Sequence, residues 1–200
     1  MMKTNYQAKL LEVINNLDGK GKLLLHSCCA PCSSYVLLFL KDYFDITVLY
    51  YNPNIEPREE YEKRKAEQKK LIKDLNAGIS FLDCDYDNDY FHARTKNLIN
   101  EPERGARCPT CFMIRLEKTA SLAKKYNFDY FATTLTVSPY KNSQQINILG
   151  SLLEKKYNVK YLYSDFKKND GYKKSIKLSN EYNLYRQKFC GCKYSQNKGE

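Results

Sequence analysis

A chain of 200 residues, 42% of them hydrophobic, carries enough apolar side chains for one domain with a sizeable core. No apolar run approaches the ~20 residues of a membrane span, and the opening MMKTNYQA leads into a charged amphipathic segment instead of a secretory signal. The expectation is accordingly a cytoplasmic protein, while 33 Lys and Arg against 23 Asp and Glu give a net charge of +10 that suits RNA or another polyanion.

The periodicity predicts an entry helix over residues 6–17, with Leu10, Leu11, Ile14 and Leu17 on one side. A short apolar strand beginning at Lys22 runs into Ser27-Cys-Cys-Ala-Pro-Cys32, and a helix continues to about Tyr43. Residues 45–51 read as a second strand, Asn52 to Pro57 breaks it, and a charged helix follows to about Leu75. Residues 79–83 form a third strand and 90–98 a short helix; 101–111 is a loop ending in a C-x-x-C pair, and 112–126 is helical. A fourth strand spans 128–135, a helix 143–157 and a fifth strand 159–163, before a basic helical segment over 167–185. Strands alternating with helices build a Rossmann-like, three-layer α/β/α domain with a mostly parallel sheet. The expected organisation is a single domain over 1–200, with the basic segment 164–200 packed over the active-site edge.

Eight cysteines in a reducing compartment are better read as metal ligands or redox couples than as structural disulfides. Seven of them fall in three clusters: Cys28, Cys29 and Cys32; Cys108 and Cys111; and Cys190 and Cys192. The first follows a strand at the sheet edge where open α/β sheets bind ligands, and a helix N-terminus behind it favours thiolates. The second also precedes a helix, so the two turns can bring four thiolates together. Short C-x-x-C pairs suit zinc and iron–sulfur clusters alike; the long separation of the pairs argues against a small zinc ribbon. Cys190-Gly-Cys192 is too tight for an unstrained disulfide, which suits a redox role, with extra metal ligands as the alternative. Cys84 reads as a small buried hydrophobe, His26 as a packed strand-end residue and His92 as a surface residue.

Residues 155–177 hold eight lysines against Asp165 and Asp170, interleaved with Tyr157, Tyr161, Tyr163 and Tyr172. Cations beside stacking rings are the combination used on single-stranded RNA, although a solvated helix face over core tyrosines has the same pattern. No G-x-G-x-x-G or Walker-type loop is present to mark a nucleotide cofactor.

The motifs as a set resemble the cobalamin-independent epoxyqueuosine reductases of the QueH family. The resemblance runs through LLLHSCCAPCSSYVL (23–37), YYNPNIEPREEYEKR (50–64), RCPTCFMIRLEKTA (107–120), FATTLTVSPYKN (131–142), DFKKNDGYKKSIKLS (165–179) and YRQKFCGCKYS (185–195). It implies a fold akin to the PP-loop (HUP-like) RNA enzymes, with the cysteine turn standing where those enzymes carry S-G-G-x-D-S; lost glycines argue against ATP use. It implies removal of the epoxide oxygen of epoxyqueuosine in the tRNA anticodon loop to give queuosine, the last step of that modification. Cys28, Cys29, Cys108 and Cys111 match positions that bind a [4Fe-4S] cluster, and Cys190 with Cys192 a redox-active disulfide. Cys28 and Cys32 compete for the fourth cluster position, the other being free to hold an additional mononuclear iron. Tyr140, Lys141, Asn142, Tyr185 and Arg186 are implied substrate or tRNA contacts. Lys173 and Lys174, in the basic segment, are assigned to anticodon-stem phosphates. The electron donor is not identified.

Three rival expectations share parts of this pattern. An iron–sulfur tRNA thiolase of the PP-loop type shares the fold but needs the ATP loop. A zinc-stapled RNA-binding module without catalysis would hold zinc alone. A general thiol–disulfide oxidoreductase would need no metal.

Overall fold

The structure, a computed structural model, describes residues 4–195. In chain order the elements are α1 (Tyr6–Asn15), β1 (Gly21–His26), α2 (Ala30–Leu40), β2 (Phe44–Tyr50), α3 (Arg58–Leu75), β3 (Ser80–Asp83) and α4 (Asn88–Thr95). They continue with α5 (Arg107–Lys125), β4 (Tyr130–Thr133), α6 (Ser143–Tyr157), β5 (Lys160–Tyr161) and α7 (Gly171–Glu181). The strands form one parallel sheet in the order β3-β2-β1-β4-β5, the α/β architecture expected from the alternation of elements.

β1 lies at the centre, and Leu23, Leu24 and Leu25 are all fully buried, as a strand covered on both faces requires. Successive side chains alternate between the faces. Leu23 and Leu25 join Leu10, Val36, Leu37, Val48 and Phe166 on one side. Leu24 joins Leu49, Leu116, Ala120, Phe131 and Ile146 on the other. The chain builds outward through β2 and β3, then returns to place β4 on the opposite side of β1. The strand order therefore reverses between β1 and β4, and the crevice at their carboxyl ends is where such sheets hold ligands.

Several boundaries move. α1 stops at Asn15, and Leu11 is 40% exposed, so Leu10 and Ile14, one helical turn apart, carry its burial. α2 ends at Leu40 and β5 shortens to a two-residue strand. The C-x-x-C pair expected in a loop sits inside α5, which begins at Arg107. Pro109 is tolerated there because first-turn N–H groups lack intrahelical partners. The Arg107 guanidinium fastens the preceding loop by donating to the carbonyls of Leu98 (2.9 Å), Ile99 (3.3 Å) and Glu101 (2.6 Å). α7 is shorter than the basic segment, because Asn169 and Asp170, at φ 51° and 60°, break the chain before it. Gly171 opens α7 where a Cβ would collide with the Phe166 carbonyl, so the helix lies tightly against its neighbours and packs on α2. Of the basic segment 164–200, the last five residues lie outside the described residues. No helix among the described residues is long and apolar enough to cross a membrane.

Candidate metal and redox centre

The cysteine turn after β1 rests on a buried polar belt. The side chain of Asn52 donates to the Ser27 carbonyl at 2.8 Å, and the hydroxyls of Ser27 and Ser33 both donate to Gln68 Oε1, at 2.6 and 2.7 Å. His26 is fully buried, as expected of a packed histidine, with Nδ1 2.9 Å from Thr133 Oγ1 on the neighbouring strand. Burial, then the Arg115 charge, lowers its pKa to about 3, so it is a neutral bridge between β1 and β4.

Cys29 caps α2 in an extended conformation, and Pro31 occupies the first turn. This brings the sulfurs of Cys28, Cys29 and Cys32 within 4.8 Å of one another. The Cys28–Cys29 sulfur separation is 3.8 Å. Thiolates bound tetrahedrally at ~2.3 Å to one metal ion stand about that far apart. Hydrogen bonds from Cys29 and Cys32 hold the Cys28 pKa well below an ordinary thiol's, while Cys29 is pushed up to about 12.

Cys108, in the first turn of α5, lines the same space as Cys28 and Cys32, while Cys111 is buried and does not line it. The Arg104 N–H donates to Cys108 Sγ at 3.2 Å, and burial pushes Cys111 up to about 12. The compact triad is therefore Cys28, Cys29 and Cys32; Cys108 and Cys111 do not join it at that spacing.

The loop bearing Cys190 and Cys192 is fixed from α3. Arg64, only 2% exposed, donates to the carbonyls of Cys190 (3.2 Å) and Phe189 (3.4 Å), and its Nε donates to Glu60 at 2.7 Å. The Glu56 N–H donates to the Gly191 carbonyl at 2.8 Å. Gly191 has φ 122°, and an added Cβ would stand 2.9 Å from Ile55 Cγ1, so only glycine fits. All eight cysteines are free thiols.

These parts converge on one cavity of about 650 Å³. Cys28, Cys32, Cys108 and Cys190 line it, as do Tyr140, Lys141, Asn142 and Arg186. Lys141 is half-buried; burial alone would lower its pKa, but the sulfurs of Cys190 and Cys28 raise it, so it carries a proton. Tyr185 does not line the cavity: its hydroxyl donates to the Glu60 carboxylate and Lys63 Nζ lies 3.5 Å from its ring centre. Lys173 and Lys174 are exposed on α7 outside the cavity, Lys173 pairing with Asp170 at 3.1 Å and Lys174 lying over the Tyr35 ring. Tyr172 and Ser175 of that helix do reach the cavity. Cys84 is half-buried instead of buried, and lines a separate cavity of about 410 Å³. His92 is 27% exposed and pairs with Glu56 at 3.0 Å.

Three contributors sit within the quoted motif stretches without a role assigned to them there: Arg64, Arg115 and Gln187. Arg115 had a signal, since it follows Cys108 and Cys111 by seven and four residues and shares their helix face. Gln187 had none, since its hydrogen bond to Cys29 Sγ spans 158 residues. Asn54 Oδ1, Arg115 Nη2 and Gln187 Oε1 belong to residues lining the cavity, are buried, and have no hydrogen-bond partner among the described residues. Thiols, cations and orphaned polar atoms around one space form a donor set that fits a thiolate-bound iron–sulfur group.

The family profile described as "Epoxyqueuosine reductase QueH" matches residues 23–198. The epoxyqueuosine reductase QueH of Staphylococcus epidermidis is 45% identical, the alignment covering 98% of this chain and 86% of the relative. That of Streptococcus pyogenes serotype M1 is 46% identical over 96% of this chain and 78% of the relative. Among solved structures, the U34-tRNA thiolase NcsA from Methanococcus maripaludis with its [4Fe-4S] cluster superposes with a TM-score of 0.55 and 14% identity. That match covers 95% of this chain, which spans 66% of the thiolase chain, and it extends to the fold.

Proposed function

This chain belongs to the epoxyqueuosine reductase QueH family, and from that premise we propose that it reduces epoxyqueuosine in tRNA to queuosine in the cytoplasm. The observation that carries the reading is the convergence of the three cysteine clusters, with Lys141 and Arg115, on one cavity at the carboxyl ends of β1 and β4. A [4Fe-4S] cluster would be held by Cys29, Cys108, Cys111 and either Cys28 or Cys32, the remaining one of which is free to hold a mononuclear iron. When bound, such a group supplies one-electron transfer and Lewis-acid iron.

The chain's own residues account for the remaining chemistry. Converting an epoxide to an alkene and water consumes two electrons and two protons. Joining Cys190 Sγ to Cys192 Sγ releases two of each, so the dithiol and the epoxide balance. Lys141 Nζ, protonated and facing Cys28 and Cys190, is suited to donate a hydrogen bond to the epoxide oxygen as negative charge develops there. Tyr140, Asn142 and Arg186 line the route into the cavity and are assigned to the modified nucleotide and its neighbours. Tyr185 is assigned to shaping that surface through Glu60, and Lys173 and Lys174 to RNA phosphates. The segment from residue 164 onward is read as packing over the active-site edge of a single domain.

The test is conversion of epoxyqueuosine-containing tRNA by anaerobically purified protein, followed by nucleoside mass spectrometry, alongside iron, sulfide and zinc content. Queuosine formation by iron- and sulfide-loaded protein is expected. Zinc alone with no conversion overturns the reading in favour of a binding module, and ATP-dependent sulfur incorporation overturns it in favour of a thiolase.

A further inference from the structure

Arg115 is 2% exposed, yet no Asp or Glu among the described residues pairs with it. Its Nε donates to the Cys111 carbonyl at 3.1 Å, its Nη2 has no hydrogen-bond partner among the described residues, and it lines the cavity. A guanidinium cannot shed its proton, and a buried charge left uncompensated is strongly destabilising. Its guanidinium lies 5.6 Å from the Phe112 ring centre, and the sulfurs of Cys111, Cys190, Cys28 and Cys108 are the groups whose negative charge would favour it. Lys141, a second cation, faces Cys190, Cys28 and Cys32, and repels Arg115. Two cations held against their mutual repulsion, with thiols around both, call for an anionic occupant between them.

We propose that Arg115 is the resident counter-cation of the thiolate-bound group and raises its reduction potential. This inference rests on the iron–sulfur reading above and deepens it. Each ligating cysteine brings one negative charge, and reduction adds another. A fixed positive charge in a low-dielectric site favours the more negative state. Arg115 acts through that group, not on the substrate, and is a positioning residue. Its Nη2 proton is available to a sulfur acceptor, a second stabilisation that grows as charge accumulates.

The experiment is an anaerobic spectroelectrochemical titration of full-length, iron- and sulfide-loaded protein, comparing wild type with Arg115→Met, Arg115→Lys and Lys141→Met. Arg115→Met is expected to shift the midpoint potential negative, with Arg115→Lys returning it most of the way to wild type. An unchanged potential in a fully loaded Arg115→Met protein overturns the inference and leaves the iron–sulfur reading standing. If Arg115→Met fails to load while Arg115→Lys loads, the requirement for charge is supported directly. If neither loads, a retained charge at this position does not suffice and the inference is overturned, Lys141→Met serving as the control that loading survives loss of the other cation. A wild-type protein that takes up no iron–sulfur group overturns the reading, and this inference with it.

Discussion

Gln187 Nε2 donates a hydrogen bond to Cys29 Sγ at 2.9 Å, tying the C-terminal loop to the buried cysteine of the first turn. A donor on a ligating sulfur orients the ligand and stabilises its charge, and losing such a partner typically weakens metal retention by ~10–100-fold. Gln187→Met, close in volume but without a donor, should release iron to a chelator correspondingly faster under anaerobic conditions. An iron-release rate equal to wild type would remove Gln187 from the site's support.

Cys190→Ser should retain iron, because the proposed cluster ligands are untouched, but should lose sustained turnover, because the dithiol can no longer cycle. Single-turnover and steady-state conversion of epoxyqueuosine-containing tRNA separate the two effects. Full multiple-turnover activity in the variant would rule out the relay.

Lys173 is 81% exposed at its side chain and Lys174 is also exposed, so reversing their charge should leave the fold intact. If α7 lies on RNA phosphates, tRNA binding by Lys173→Glu/Lys174→Glu should weaken. Its log–log salt slope should also flatten by about 0.7–0.9 for each phosphate no longer neutralised. Filter binding across a salt series reads both quantities, and an unaltered slope would move the RNA elsewhere.

Tyr161 is 2% exposed, and its buried hydroxyl has no partner among the described residues. An unsatisfied buried polar group costs ~1–3 kcal/mol, so Tyr161→Phe should raise the urea midpoint without changing the m-value. Gly150 packs where a Cβ would meet the Tyr161 ring, so Gly150→Ala should lower that midpoint. A Tyr161→Phe midpoint below wild type would show the hydroxyl to be satisfied in solution.

Much of this architecture was legible from local pattern. α6 occupies Ser143–Tyr157, the span its periodicity predicts, because Asn142 caps it and apolar residues repeat along one face. The cysteine turn could be placed at the sheet edge because an apolar strand ends where a proline can begin a helix. The start of α5 was not legible, because Arg107 secures it through side-chain hydrogen bonds to carbonyls six to nine residues upstream instead of a local cap. Nor could spacing show that the sulfurs of Cys28, Cys29 and Cys32 gather within 4.8 Å, since the extended backbone at Cys29 and the start of α2 bring them there. Arg64 and Gln187 are recognisable only once α3 and the C-terminal loop are seen together.

The arginine of α3 that grips the Cys190 carbonyl also joins two parts of the chain that lie 126 positions apart. All five strands precede residue 187 in the chain, so these contacts are made by a loop that follows the whole sheet. The cover that Gln187 and the Cys190 loop give the first cysteine turn is therefore held by long-range hydrogen bonds, not by a neighbouring element of the sheet.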